Sequence, residues 1–369
     1  MAAPARLADI LQVDPSKVHI SADGAVSFDP TAEGGQCQAA LLRAAELLNS
    51  NQPVAIPTET VYGLAASARS SDAVRSIYAA KNRPADNPLI VHVGSIQQLD
   101  SLLKGDPIPA AYRPLIDRCW PGPLTILLRN KQEYGICPEV SAGQPTFAVR
   151  MPVHPVARAL MILSGLPLAA PSANASTRPS PTLASHVFED LKYQIPLILD
   201  GGPCDVGVES TVVNGLVSPP LLLRPGGYSL EEIRQLGGTS WQDVVVGKAT
   251  AQADEKVQTP GMKYKHYSPT AKVVLFSTST DPEGYLSEVS DAAKVIVLRT
   301  QRFPETIDRA NVTVENLGAT GKEISRNLFA ALRHADEVGA DLVLVEGTDE
   351  SNEGLAVMNR LRKAASLII

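Results

Sequence analysis

Cysteine is scarce in this chain of 369 residues: Cys37, Cys119, Cys137 and Cys204 are the four present. None forms a C-x-x-C pair and no histidine cluster accompanies them, which argues against a zinc site and a disulfide scaffold. Long apolar runs are also missing. None reaches the ~18 residues that a membrane span needs. The amino-terminal MAAPARLADI has no basic stretch followed by an apolar one, so no secretory leader is expected. Asp9 and Asp14 speak against an organellar leader. Reduced thiols and a cytoplasmic location are the expectation. A basic excess is absent too: the formal net charge is −6. General nucleic-acid binders carry the opposite balance. Three short motifs are absent: G-x-x-x-x-G-K-[ST], G-x-G-x-x-G after a strand, and G-x-S-x-G. Their absence excludes a P-loop, a dinucleotide fingerprint and a serine nucleophile elbow.

What is present is ample apolar material, 44% of residues, arranged as alternating helix and strand patterns. Residues 1–30 read as an extension containing a hairpin around the ADG turn of VHISADGAVSFD. QCQAALLRAAELLNS, 36–50, is an amphipathic helix. A helix follows Ser71 or Asp72, and Pro155 to Gly165 is a helix opened by proline and closed by glycine. Short apolar strands fall at 54–56, 89–93, 124–128, 147–150, 168–170, 197–199, 211–213 and 221–223. Some are close enough for hairpins and some are joined by crossover helices, so a twisted mixed α/β sheet is expected for 31–236. Residues 237–268 are polar and weakly periodic and read as a linker. From 269 to 369, VVLFS, KVIVLR and DLVLVEG alternate with helices, which predicts a smaller Rossmann-like parallel α/β domain.

One stretch, IPTETVYGLAASA, poses the functional question. A buried strand empties at Pro57 into Thr58, Glu59, Thr60 and Tyr62. Five other places do the same. Lys81, Arg83 and Asn87 precede the strand that ends at His92. Thr146 and Arg150 bound another. Ser172, Asn174 and Ser180 lie in APSANASTRPSPT. Glu209, Ser210 and Thr211 lie in GVESTVV, and Arg224 ends LLLR. Singly, each has an ordinary explanation. Lys81 and Arg83 suit a helix C-terminus, His92 suits a satisfied core, and Ser172 and Asn174 suit local loop bonding. Arg150 and Arg224 are harder to explain so, because each ends an apolar run where a charge needs a partner or water. Together, Lys81, Arg83, Arg150 and Arg224 make a cationic set at strand ends, where ligands of α/β sheets collect. A nucleoside triphosphate would neutralise it.

PTETVYGL, KNRPADNPLIVHV, WPGPLT, VRMP, APSANAST, GVESTVV and LLLRPG together resemble the threonylcarbamoyl-AMP synthase family, of YrdC type. TPGMKYKHYSP resembles the connecting segment of its longer members. The resemblance covers about residues 36–369. It implies a twisted mixed sheet with a basic concave cavity. It also implies formation of threonylcarbamoyl-adenylate and pyrophosphate from L-threonine, bicarbonate and ATP, with Mg2+ arriving on ATP. A downstream transferase would then modify the N6 of an adenosine beside the tRNA anticodon. Matched position by position, it assigns Arg83, Asn87, Thr146, Ser172, Asn174, Ser180 and Arg224 to ATP. Lys263, Tyr264 and His266 are assigned there too, as a closing segment. Thr60, His92, Arg150, Ala170 and Ser210 are assigned to threonine, Ala170 through its backbone. Lys81 is placed near phosphate or bicarbonate and is catalytic with Arg83. No residue is assigned to a metal. Thr177 departs from the pattern, where many relatives carry glycine. A non-catalytic RNA-binding module using the same cavity is the alternative. A hydrogenase-maturation carbamoyltransferase would need zinc-finger cysteines that this chain lacks.

Overall fold

The computed structural model describes residues 6–84, 87–247, 266–277 and 281–369. Thirteen strands precede residue 247: β1 (Asp9–Gln12), β2 (Val18–Ile20), β3 (Val26–Phe28), β4 (Val54–Ile56), β5 (Gly63–Ser67), β6 (Ile90–His92), β7 (Leu124–Arg129), β8 (Thr146–Arg150), β9 (Leu168–Ala169), β10 (Leu197–Asp200), β11 (Thr211–Asn214), β12 (Leu221–Arg224) and β13 (Val245–Val246). Eleven of them form one sheet in the order β1-β10-β4-β5-β9-β6-β8-β7-β11-β12-β13. Parallel pairs such as β6–β8 alternate with antiparallel ones such as β7–β8, so the sheet is mixed as expected. β2 and β3 make the anticipated hairpin around the ADG turn.

Local chemistry explains the helices. Ala32–Asn49 begins at Thr31, whose hydroxyl accepts from the Gly34 amide, and it buries Cys37, Leu41, Ala44 and Leu48. It starts four residues before the expected helix, because this cap overrides the low helix propensity of Gly34-Gly35. Ser70, rather than Ser71 or Asp72, caps the helix Ser71–Lys81, which ends on Asn82 in the left-handed conformation. The helix Pro155–Ser164 starts with proline and stops at Gly165, φ 69°.

Three segments join the sheet against expectation, the first being the small-residue run Gly63–Ser67, which pairs with β4 and β9. Asp9–Gln12, expected in an extension, pairs with β10. Val245–Val246, expected in the linker, pairs with β12. The last two are edge strands too short for alternation to be visible in sequence.

Beyond them lie β14 (Lys272–Phe276), β15 (Val295–Arg299), β16 (Val312–Asn316), β17 (Leu342–Glu346) and β18 (Leu367–Ile368). They form a second sheet, β16-β15-β17-β14-β18, with every pair parallel. Alternate residues bury on opposite faces. Val273, Leu275, Val343 and Val345 pack with the helices Gly321–Glu337 and Gly354–Ala364. Val274, Phe276, Leu342 and Leu344 pack with Leu286 and Phe303. Burial on both sides is what a parallel sheet requires. The first of these cores also contains Val61 and Val208 of the larger domain, so apolar packing runs across the boundary. Among the described residues no helix is long and apolar enough to cross a membrane.

Candidate functional site

The strand ends named above meet because of register. His92 pairs with Arg150 across β6 and β8. Arg150 pairs with Thr125 across β8 and β7. Leu124 pairs with Thr211, and Val212 with Arg224. One edge of the sheet therefore carries His92, Arg150, Ser210 and Arg224 side by side. The chain from Pro57 to Val61 and the 170–174 loop lie over it. The result is a cleft of about 660 Å³, its mouth included, whose walls include Thr60, Arg83, His92, Arg150, Ala170, Ser172, Asn174, Ser210, Arg224 and His266.

Arg150 and Arg224 are each held in place by hydrogen bonds. Arg150 is buried and forms an ion pair with Glu59 at 2.7 Å. It also donates to Thr60 Oγ1 at 2.9 Å and to the Gly122 carbonyl at 3.2 Å. Thr60 is fixed in turn by Thr58 Oγ1 at 2.8 Å. Arg224 donates to the Ser210 carbonyl at 2.9 Å and to Ser210 Oγ at 3.0 Å. Burial lowers its pKa to about 10. His92 donates from Nδ1 to the Ile90 carbonyl at 3.1 Å. Burial, reinforced by Arg150, lowers its pKa to about 3, so the imidazole is neutral. His266 is lowered to about 4 by burial and by Arg83. The Ala170 amide is taken up by the Ile90 carbonyl at 3.0 Å.

Other expected residues sit behind this wall. Lys81 is buried, and its ammonium donates to the carbonyls of Ser172 and Asn174. Burial first, and Arg83 second, hold its pKa well below the usual lysine range. Lys81 thus holds from behind the loop that carries Ser172 and Asn174 into the cleft. Ser180 Oγ donates to Glu209 at 2.6 Å. Asn87 is buried, with its backbone carbonyl accepting from the Tyr78 hydroxyl at 3.0 Å.

Thr146 is not brought to the cleft. It starts β8, opposite Arg129, whereas Arg150 ends the same strand. Four residues of extended chain separate them by about 13 Å. Sequence shows that a polar residue bounds a strand but not which end faces the ligand. Lys263 and Tyr264 lie outside the described residues.

Several contributors went unrecognised in the sequence. Tyr267 lines the cleft beside His266, with its pKa raised to about 12 by burial and by Glu209. The smaller domain supplies two buried arginines to the loops of the larger one. Arg333 donates to the Pro179 carbonyl at 2.6 Å and pairs with Asp190 at 2.7 Å. Arg360 pairs with Glu209 at 2.9 Å. A cation on the apolar stripe Ala356, Val357, Leu361, Ala364 was the available signal. Gly226 allows this packing: a Cβ there would stand 2.2 Å from the Glu209 carbonyl oxygen.

The described residues hold no group of three histidine, cysteine or acidic side chains able to bind a metal ion. Glu59 and Glu209 are each engaged by an arginine. The site does not fit a protein-held Mg2+. A divalent ion would belong to the substrate.

Fold and site together define an α/β enzyme with a cationic cleft at one edge of a mixed sheet. Residues 46–226 match the family model described as "Telomere recombination", and residues 228–366 match "Threonylcarbamoyl-AMP synthase, C-terminal domain". A Schizosaccharomyces pombe protein called threonylcarbamoyl-AMP synthase is 54% identical, over 93% of this chain and 91% of its own. A Bacillus subtilis protein of that name is 44% identical, over 88% of this chain and 92% of its own. The crystal structure of P. abyssi Sua5 complexed with L-threonine superposes with a TM-score of 0.82 at 39% identity, covering 98% of this chain and 99% of that one. The chain belongs to the threonylcarbamoyl-AMP synthase family of ATP-dependent nucleotidyltransferases.

Proposed function

We propose that this chain makes L-threonylcarbamoyladenylate and pyrophosphate from L-threonine, bicarbonate and ATP, and that a downstream transferase uses the product on the N6 of the adenosine next to a tRNA anticodon. The carrying observation is the convergence of Arg83, Arg150 and Arg224 on one cleft with the neutral His92, Ser172 and Ser210. Such a set suits a polyanion with a small polar companion. The names of the relatives and the threonine bound to P. abyssi Sua5 support the same reading.

In this reading Arg83 and Arg224 meet the phosphates, with Ser172 and Asn174 on the nucleotide. Arg150, Thr60, Ser210, His92 and the Ala170 backbone face threonine. The neutral threonine amine attacks bicarbonate carbon and water leaves. A carbamate oxygen then attacks the α-phosphorus, the bond to the β-phosphate oxygen breaks, and pyrophosphate departs. No covalent enzyme intermediate is required. Catalysis is positioning together with cationic stabilisation of the leaving group. We place the catalytic unit at 31–236 with the edge strands β1 and β13 added, and the second unit at 269–369.

The test is incubation of the full chain with labelled threonine, bicarbonate and ATP. A threonine-dependent adenylate and pyrophosphate are expected, with Arg83→Ala slower by well over tenfold, that is by more than ~1.4 kcal/mol. RNA binding with steep salt dependence and no pyrophosphate would instead indicate a non-catalytic module.

A further inference from the structure

Ser172 and Asn174 reach the cleft on a loop whose far half is a turn with little bonding of its own. The turn is closed by a long backbone bond, from the Arg178 amide to the Ala175 carbonyl at 3.3 Å. The Asn174 side chain depends on it. Its Nδ2 donates to the carbonyls of Ala175 at 2.9 Å and Arg178 at 3.0 Å, and its Oδ1 accepts from Ser172 Oγ. Both cleft residues therefore take their orientation from the turn 175–179.

That turn is fixed from outside by two buried charges. Asp190 lies on the helix Ala184–Leu191, with its carboxylate wholly buried. It accepts from the Ala175 amide at 3.0 Å and from Arg178 Nη1. Arg333 reaches it from the helix Gly321–Glu337 of the smaller domain, its Nη2 and Nη1 donating to the two carboxylate oxygens at 2.7 and 3.2 Å. Its Nη2 and Nε also donate to the Pro179 carbonyl at 2.6 and 3.1 Å. Arg178 pairs in turn with Asp336 at 3.2 Å, so two acids balance two arginines. A buried ion pair is weak evidence of net stability. Here its geometry shows what else it does. The carboxylate holds the first amide of the turn and the guanidinium holds its last carbonyl, so the pair spans the turn from which Asn174 hangs.

We propose that Asp190 and Arg333 are positioning residues of the nucleotide site: they set the turn 175–179 and, through it, the Asn174 amide and the Ser172 hydroxyl, so the second domain preorganises a binding loop of the first. This rests on reading Ser172 and Asn174 as nucleotide contacts.

The test uses the full-length protein and calorimetric titration of ATP and of threonine, with steady-state KM and kcat. Arg333→Met should weaken ATP binding by at least about fivefold, and threonine binding by less than about twofold. The loss should appear in the KM for ATP more than in kcat. Arg333→Lys, which keeps a charge on Asp190, should fall between parent and Arg333→Met. Asn174→Ala supplies the other arm of a double-mutant cycle and should itself weaken ATP binding by at least about fivefold. Because Arg333 acts through Asn174, the combined variant should bind ATP within about twofold of the weaker single variant. Losses that multiply, or an equal loss for threonine, would mean that Arg333 supports the fold at large and would overturn the proposal. Unchanged ATP binding in Arg333→Met overturns it as well. If Arg333→Met does not fold, the cycle run with Arg333→Lys decides by the same criteria. A parent that binds ATP equally well after Asn174→Ala overturns the assignment of that residue and this proposal, while the reading of the cleft stands. A parent that binds no ATP overturns both.

Discussion

Arg150 and Arg224 were legible because each terminates an apolar run, where a charge has few places to go. Thr146 lies at the opposite end of β8 from Arg150, which alternation could not show because it reveals a strand but not which end meets the cleft. Arg360 was hidden because one cation on an amphipathic helix looks like ordinary surface until the packing partner is known. The buried histidines lead to a prediction. Folded His92 has a pKa of about 3, and folded His186 and His266 of about 4, all depressed chiefly by burial. Their unfolded values lie near 6.5. Between pH 6.5 and about 4.5 the unfolded chain therefore binds protons that the folded chain does not, and stability must rise with pH across that window. The denaturant midpoint should be lower at pH 5 than at pH 7, with the difference reduced in His92→Gln. A midpoint that does not move between those pH values would contradict neutral burial of these side chains.

At the scale of elements, most helices and strands could be read from caps and periodicity, whereas β1, β5, β13, β16, β18 and the helix Ala184–Leu191 could not. Val245 and Val246 are both exposed, so no pattern distinguishes them from loop. The functional loops carry their own constraints. Thr177 has φ 76°, in the left-handed region that disfavours a β-branched residue. Its carbonyl accepts from the Ser268 amide at 2.9 Å, which ties the 172–182 loop to the end of the linker just before the second domain. The family resemblance leads one to expect glycine at this position, and a positive φ suits glycine. Thr177→Gly should relieve about 1 kcal/mol of strain, partly offset by the added freedom of the unfolded chain. Equilibrium unfolding should show the variant at least as stable as the parent. A loss above about 1 kcal/mol would mean that the threonine side chain contributes more than its backbone strain costs.

Across the whole molecule, the two sheets are joined by buried ion pairs and by a shared apolar core. Arg333–Asp190, Arg360–Glu209 and Arg178–Asp336 cross the boundary together with Val61 and Val208. Removing one partner of a buried pair typically costs about 3–5 kcal/mol. The chain should therefore unfold in a single calorimetric transition, and Arg333→Met should lower it and split it in two. Two well-separated transitions in the parent would show that the domains are only loosely coupled. The two-domain division was visible from the change in strand–helix pattern near residue 270. Their mutual dependence was not, because it rests on contacts between residues more than a hundred positions apart. The most direct measurement is a crystal structure of the full chain with a non-hydrolysable ATP analogue and threonine. The account predicts the triphosphate between Arg83 and Arg224, with threonine against Arg150 and His92. Either ligand bound away from this edge of the large sheet would contradict it.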